Sequence, residues 1–383
     1  MSNKFVSQDA CGCGTGASDC CGGPKVEKHT SLDIIGGVET KVGDIPVVST
    51  KLTFKDTLGS WRMRWGLGRY GYSIEPGIYA VGKPKSTSPV FVSANYKMSF
   101  DRLRQQLQQG QKLQQLQQGK QGQGKKKERG VIDSFILVLD TKGINVWCAA
   151  GKGTFGTEEL IKRIKAVKLE KVVSHRQIIL PQLGAPGVAA HIVAKKTGFK
   201  PVYGPVRAKD IPLFIKNGMK ADEKMRRVEF PFKERLILTP IEIIGSYKIL
   251  AGVFVFLAVI NLFKTGGLNI QNTLYGFLPY LGSALVGAVL VPAFLPWIPG
   301  KSFAFKGWLL GLLFVSVIGN IYFPGQSGYL TWVLILPAIS AFIALNFTGC
   351  STYTSLSGVK KEMRWAIPLI VLSAVAGIIV SFF

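Results

Sequence analysis

FILVLDTKGINVWCAAGKGTFGTEELIKRIKAV, residues 135–167, passes from an uninterrupted apolar segment through a run of small residues into a mixed apolar and charged pattern. FILVLD (135–140) predicts a buried strand, and INVW (144–147) predicts a second short strand after the TKG turn. ELIKRIKAVKL (159–169) places its apolar residues on one face, as an amphipathic helix does. The stretch therefore predicts a strand–loop–helix unit around the small residues CAAGKGTFGT (148–157).

The same alternation continues on both sides of this unit. LGAPGVAAHIVAKKTG (183–198) predicts a turn that enters a helix, and further strands are predicted at 77–82, 89–96, 171–174, 177–181 and 200–206. Strands that alternate with helices predict an α/β fold with a parallel, doubly wound, Rossmann-like sheet. Ligands of such sheets lie beyond the carboxyl ends of the strands. The segments 148–154 and 180–187 are both placed there.

Charge divides the chain into two unlike parts. Of its 47 Lys and Arg and 22 Asp and Glu, only seven and two lie in residues 236–383. This second part contains five apolar stretches, each near the ~20 residues that cross a bilayer: 247–263, 273–296, 307–323, 329–347 and 365–383. Lys and Arg favour alternate loops, which predicts five transmembrane helices with the preceding domain on the cytoplasmic side of the cell (inner) membrane. None of the five stretches contains an acidic residue, which favours an anchor over a transporter.

The first 235 residues carry most of the formal net charge of +25. Their Lys and Arg are scattered, so we favour an acidic partner protein or anionic membrane lipid over nucleic acid. Residues 1–45 form a predicted Cys/Gly-rich flexible arm in which Cys11, Cys13, Cys20 and Cys21 either capture a soft metal or have no role. Residues 46–235 form the predicted globular domain. Its segment 104–129 is rich in Gln, Gly and Lys and is predicted to be a low-complexity insertion.

The loop around Cys148 fits several kinds of site imperfectly. It lacks the GxxxxGK[ST] pattern of a P-loop, and Gly151, Gly153 and Gly156 only approach a dinucleotide fingerprint. A cysteine nucleophile needs a neighbouring base, and none of the three His belongs to a linked motif. Spacing alone leaves an inert cysteine beside a tight turn as the simplest reading.

A resemblance is more specific than these patterns. NVWCAAGK (145–152), with EPGIYAVG (75–82) and LPQLGAPGVAAH (180–191), resembles the corrinoid proteins of microbial mercury methylation, over about residues 50–383. VLDTKGINVWCAAGKGTFGTEEL (138–160) also resembles the corrinoid domain of the corrinoid iron–sulfur protein of acetyl-CoA synthesis. The insertion at 104–129 and the cysteine-rich arm depart from the family pattern.

The resemblance implies a cobalamin or related corrinoid, with Cys148 as the lower axial ligand of cobalt in a cap helix. It implies that small residues let the backbone approach the macrocycle, that Trp147 packs in the core, and that the 180–187 loop holds the nucleotide tail. The cofactor-binding residues so implied are Thr141, Gly143, Asn145, Val146, Trp147, Cys148, Ala149, Ala150, Gly151, Lys152, Gly153, Thr154, Gln182, Leu183, Gly184 and Ala185.

The implied function is that of a corrinoid-dependent methyltransferase that passes a methyl group from methyl-Co(III) corrinoid to Hg(II), giving methylmercury. The implied partners are a ferredoxin-like protein with two [4Fe–4S] clusters as reductant and a methyl-donating methyltransferase. Two alternatives remain open: a membrane-anchored corrinoid methyl carrier for another acceptor, and a non-enzymatic membrane metal-binding protein.

Overall fold

The computed structural model describes residues 29–68, 71–109, 130–267, 269–322, 328–351 and 353–381. The predicted metal-capturing residues Cys11, Cys13, Cys20 and Cys21 lie outside the described residues, as does most of the segment 104–129. Cys148 and the loops around it lie within them.

One seven-stranded mixed sheet organises the first part of the chain. Its strands, in chain order, are β1 (Ile34–Thr40), β2 (Gly43–Val48), β3 (Gly77–Val81), β4 (Val90–Ala94), β5 (Ser134–Leu139), β6 (Gln177–Leu180) and β7 (Lys200–Tyr203). They lie in the order β1-β2-β3-β5-β4-β6-β7. The neighbours β5, β4, β6 and β7 run parallel, whereas β3 is antiparallel to β5 and β1 is antiparallel to β2. The α/β class is therefore confirmed, but the sheet is mixed and not wholly parallel, and a Rossmann-like topology is not confirmed.

The central strand β5 is buried along its whole length, so both faces of the sheet are covered. On one face Leu137 packs in a cluster with Phe155 and Leu160, and on the other Ile136 packs with Phe100 and Phe214. The covering helices are α1 (Phe54–Arg64), α2 (Lys97–Gln106), α3 (Val146–Lys152), α4 (Thr157–Ala166), α5 (Leu169–Val172), α6 (Ala190–Thr197), α7 (Ile211–Lys216) and α8 (Glu223–Arg226).

Two predicted strands are helical in the structure. Residues 146 and 147 of the predicted strand 144–147 begin α3, because the side chain of Asn145 caps that helix. The predicted strand 171–174 overlaps α5 instead. In both places the apolar residues are too few to establish a period, so local capping and packing decide the conformation.

Two predicted boundaries also shift. Strand β1 and the beginning of β2 fall inside the predicted flexible arm 1–45, so the sheet starts before that boundary. The predicted low-complexity insertion begins at residue 104, but Arg104 belongs to α2 and Leu107 to a following 3-10 turn, and both are fully buried. Their burial shows that the globular domain continues at least to that turn.

A buried cluster of four charges joins α1 to α2. Lys97 and Arg104 on α2 both bind Asp56 on α1, with 2.7 Å between Arg104 Nη2 and Asp56 Oδ2. The same two cations bind Asp101, at 2.8 Å and 2.7 Å. Burial by itself raises the pKa of Asp56, but hydrogen bonds from Lys97 and the Thr53 backbone, with the two positive charges, lower it to about 2. The cluster is charge-balanced and fixes the spacing of the two helices.

The remainder of the described chain is helical. It contains α9 (Phe232–Gly245), α10 (Tyr247–Thr265), α11 (Ile270–Leu285), α12 (Val291–Phe294), α13 (Phe303–Tyr322), α14 (Tyr329–Asn346) and α15 (Leu356–Val380). A π-turn at Val286–Leu290 joins α11 to α12.

Three of these helical segments are long and apolar enough to cross a membrane: Ile270–Phe294, Tyr329–Gly349 and Ser357–Val380. The pair α9 and α10, bent by 44°, can be counted as a fourth, and the apolar helix Phe303–Gly319 is shorter. The prediction of five spans is therefore too high within the described ranges.

Two charged side chains of the helical region satisfy the ends of its helices. Arg235 donates to the carbonyl oxygens of Pro292 (2.8 Å) and Ala293 (2.9 Å). Glu362 accepts a hydrogen bond of 2.7 Å from the backbone nitrogen of Ala304, in the first turn of α13. Helix ends leave backbone groups without partners, and these contacts supply them.

Candidate functional site

The carboxyl ends of β4 and β5 are joined by the side chain of Asn95, the residue after β4. Its carboxamide oxygen accepts hydrogen bonds from the backbone nitrogens of Thr141 (3.1 Å) and Gly143 (3.0 Å), and lies 2.8 Å from the Thr141 hydroxyl oxygen. Asn95 and Thr141 are both fully buried. One side chain therefore fixes the loop that leads from β5 to α3, the helix that contains Cys148.

A second side chain fixes the start of that helix. Asn145 is the N-cap of α3, and its side-chain oxygen accepts a hydrogen bond of 2.9 Å from the backbone nitrogen of Cys148. Gly153 ends the helix with a φ of 81°, a left-handed conformation that favours glycine. The helix is held at both ends, so the position of the thiol is determined by local structure.

The seven residues of α3 divide into two faces. Val146, Ala149 and Ala150 are buried in the core, whereas Trp147, Gly151 and Lys152 are exposed and Cys148 is partly exposed. Trp147 is 43% exposed, so its predicted place in the core is wrong. The thiol thus shares an outward face with a large indole, an ammonium and a residue without a side chain.

The small residues of α3 have a role inside the protein. A Cβ on Gly187 would lie 2.2 Å from the carbonyl oxygen of Phe155 and 3.2 Å from the Cα of Ala150. The 3-10 segment Gln182–Gly187 therefore packs directly against α3 and the turn that follows it. Ala149 and Ala150 are buried, and Ala150 lies next to Gly187.

The segment Gln182–Gly187 follows β6 and Pro181, and it lies at the same edge of the sheet as Asn95 and Asn145. The side-chain oxygen of Gln182 is buried and has no hydrogen-bond partner among the residues that the structure describes. Since a buried acceptor without a partner is costly, this oxygen is suited to receive a donor from a bound molecule.

A cavity of about 380 Å³ lies at this edge of the sheet. Its walls come from the carboxyl ends of β4 and β6, from α2 and from the start of α3. Trp147 and Leu183 are among its apolar lining residues, and Asn145, Arg64 and Arg102 are among its polar ones. A largely apolar cavity with a few converging polar groups is typical of a small-molecule or cofactor site.

The predicted site residues are brought together as two adjoining loops, 141–154 and 182–185. Thr141, Gly143, Val146, Ala149, Ala150 and Gly184 are buried; Asn145, Cys148, Thr154, Gln182, Leu183 and Ala185 are partly buried; and Trp147, Gly151, Lys152 and Gly153 are exposed. Sequence reasoning missed Asn95, Arg64 and Arg102. Asn95 lies near the end of the predicted strand 89–96, and a polar residue at that place was a usable signal, whereas nothing local distinguishes the two arginines.

The chemistry available at α3 depends on one sulfur. Within the described ranges no group of three or more His, Cys, Asp or Glu side chains is placed to hold a metal ion. His175 binds the Ser88 carbonyl oxygen (2.9 Å) and precedes β6, so it lies at the opposite edge of the sheet from Cys148. Because His175 lies too far away to act as a base for Cys148, the outward thiol is better suited to bind a soft metal centre of a bound cofactor than to act as a hydrolytic nucleophile.

Comparisons with known proteins found one family and several curated relatives similar to this chain. The family described as CO dehydrogenase/acetyl-CoA synthase delta subunit matches residues 124–215, which include β5, α3 and the segment Gln182–Gly187. The acetyl-CoA decarbonylase/synthase complex subunit gamma of Archaeoglobus fulgidus is 26% identical over 133 residues, 35% of this chain and 24% of that protein. The corrinoid/iron-sulfur protein large subunit of Moorella thermoacetica is 25% identical over 143 residues, 37% of this chain and 27% of that protein.

The chain spans about a quarter of the length of the curated relatives it matches. The expected resemblance to corrinoid protein subunits of acetyl-CoA synthesis is thus confirmed, and it is confined to about a third of the chain. The family match covers the region that builds the two loops and α3.

Proposed function

We propose that this chain is a corrinoid-dependent methyltransferase in which Cys148 is the lower axial ligand of the corrinoid cobalt. The observation that carries the proposal is the outward thiol on a helix fixed at both ends, within the stretch that matches corrinoid-related subunits. A thiolate is a soft, strongly donating ligand for cobalt.

The residues present fit a flat macrocycle on the outward face of α3. Gly151 lies one turn after Cys148, and apart from the backbone of its own helix no atom lies within 4 Å of the place where a Cβ would stand. A ring resting on the sulfur therefore meets no side chain at that position. The unpartnered oxygen of Gln182 is available to a donor group such as a peripheral amide of the ring.

The remaining roles belong to the protein. Asn145 holds the Cys148 backbone, Asn95 holds the loop before it, and Lys152 places a positive charge on the same outward face. A bound corrinoid would supply cobalt as the methyl carrier. Transfer of the methyl group with the electron pair of its cobalt–carbon bond to Hg(II) would give the methylmercury cation and leave Co(III). We propose Hg(II) as acceptor because a soft electrophile suits a methyl group delivered from a sulfur-ligated metal.

We also propose the partners and the location that this function needs. A ferredoxin-like protein with two [4Fe–4S] clusters would reduce the cofactor, and a separate methyltransferase would supply the methyl group. The helical region would anchor the chain in the cell (inner) membrane, with the site on the cytoplasmic side; its three long apolar segments support this placement.

A second function has an observation in its favour. The relatives named above are subunits of acetyl-CoA decarbonylase/synthase complexes and a corrinoid/iron-sulfur protein. The chain could therefore be a corrinoid methyl carrier for a different acceptor. A methyl-transfer assay that compares Hg(II) with a thiol or metal-cluster acceptor separates the two functions.

The deciding experiment is the visible absorption spectrum of the full chain after reconstitution with cobalamin. Thiolate ligation should give a spectrum that differs from those of base-on and water-ligated cobalamin, and Cys148→Ala should abolish that difference while the protein stays folded. Methylmercury formation by the methyl-loaded protein should fall to background in the same variant. A Cys148→Ala spectrum equal to that of the unmodified protein would contradict the ligand assignment.

A further inference from the structure

Two guanidinium groups line the cavity beside α3, one from each of the helices α1 and α2. Arg64 is the last residue of α1 and Arg102 lies in the middle of α2. Burial, and next the positive charge of Arg102, lower the pKa of the Arg64 guanidinium. Both guanidinium groups line one cavity, so their like charges repel each other there.

Nothing acidic in the described chain compensates this pair. Arg64 has no ion-pair partner among the described residues, and Arg102 donates only to the neutral Gln105, at 3.3 Å. The nearest carboxylate on α2, Asp101, is bound to Lys97 and Arg104. The residues that line the cavity therefore carry a net positive charge.

The rest of the lining is mostly apolar. Phe91, Ile179 and Leu183 contribute to its walls, as does Trp147, the neighbour of Cys148. A space of about 380 Å³ with two cations and apolar walls suits an organic phosphate better than a free inorganic anion. Guanidinium groups bind phosphate oxygens through paired, charge-assisted hydrogen bonds.

We infer that Arg64 and Arg102 bind the phosphodiester group in the nucleotide tail of the corrinoid. The inference rests on the proposed function, since it assigns the tail of the cofactor whose cobalt would lie on Cys148. The tail leaves the lower side of the macrocycle, and Trp147 connects the face that bears the thiol to the wall of the cavity.

The test compares three corrinoids that differ stepwise in the tail. Cobalamin has phosphate, ribose and base; cobinamide phosphate has the phosphate alone; cobinamide has none of these. Each is titrated into the full chain in detergent micelles, and its dissociation constant is read from the visible absorption change. Cobalamin and cobinamide phosphate should bind at least about ten-fold more tightly than cobinamide, because charge-assisted hydrogen bonds are lost with the phosphate.

The variants locate the contact. Arg64→Gln and Arg102→Gln should each weaken binding of cobalamin and cobinamide phosphate by about ten-fold and leave cobinamide unchanged. Arg64→Lys should retain part of the preference, since it keeps the charge. Arg62→Gln is the matched control, because Arg62 is exposed on the same helix and lies outside the cavity.

The outcomes separate the inference from the proposed function. Equal affinity for all three corrinoids, or arginine variants that weaken all three equally, would overturn the phosphate assignment while corrinoid binding stands. Failure of all three to bind would overturn the proposed function and the inference with it.

Discussion

The side-chain oxygen of Asn145 lies 2.9 Å from the backbone nitrogen of Cys148, so the residue that starts the short helix also fixes the residue that carries its thiol. The contact connects stability to the proposed ligand chemistry. A substitution at Asn145 should therefore change both the melting temperature and cobalamin binding, because the cap and the sulfur belong to the same helical turn.

Asn145→Ala should lower the melting temperature of the full chain by roughly 2–4 °C, since loss of a cap costs ~1 kcal/mol. It should also weaken cobalamin binding, because the first turn of α3 frays and the thiol loses its fixed position. Thermal unfolding in micelles and cobalamin titration measure the two effects. Asn145→Asp keeps a capping oxygen and should retain both properties; an equal loss in this variant would contradict the capping role.

Asn95→Ala should destabilise the protein by roughly 2–4 kcal/mol, because it removes a buried acceptor shared by Thr141 and Gly143. The 140–145 loop should then open and expose its backbone. Hydrogen exchange of these two amides, measured by mass spectrometry of the loop peptides, should accelerate. Exchange that stays as slow as in the unmodified protein would show that the loop is held by other contacts.

Ala150→Leu should lower the stability of the fold, whereas Gly151→Leu should lower corrinoid affinity, although the residues are adjacent. Ala150 is buried against Gly187, so a larger side chain should destabilise the fold by about 1–3 kcal/mol. Gly151 is exposed, so Gly151→Leu should leave the melting temperature nearly unchanged and reduce corrinoid affinity by obstructing the face of Cys148. Normal affinity in Gly151→Leu would argue against a ring on that face.

Lowering the pH should weaken the buried charge cluster that joins α1 to α2. The pKa of Asp56 is about 2 in the folded chain, below its ordinary value of 3.8, so its stabilisation is present above about pH 4 and is lost as the pH falls toward 2. Asp56→Asn should remove this acid-dependent part and destabilise the protein by roughly 3–5 kcal/mol, since Lys97 and Arg104 are left undercompensated. Melting temperatures between pH 2 and pH 7 measure the effect. Asp44→Asn, at an exposed carboxylate, should leave the profile unchanged.

The sequence identifies the part of this fold whose signal is local and periodic. The apolar run before Asp140 became β5, and the amphipathic pattern at 159–169 became α4 with a shift of two or three residues. Val146 and Trp147 were misassigned because a capping side chain, and not a hydrophobic period, decides their conformation. The parallel prediction failed at β1 and β3, since strand direction depends on connections that no single strand encodes.

The candidate site was predictable only where a motif marks it. Cys148 stands in a recognisable motif, whereas Arg64 and Asn95 reach the site through the packing of α1 and the end of β4. The faces of α3 could not be read from a segment of seven residues, most of them small. The run of small residues in α3 predicts a face that a macrocycle can approach, but two of these residues, Ala149 and Ala150, are buried.

The exposure of Trp147 gives the chain a built-in optical reporter beside the thiol. An indole emits in the near ultraviolet, where a corrin absorbs, so a ring on the face of Cys148 would quench Trp147 by energy transfer. The difference in quenching between the unmodified chain and Trp147→Phe would isolate this signal from the other six tryptophans, since the chain has seven. Occupancy of the face could then be followed in time without any added label.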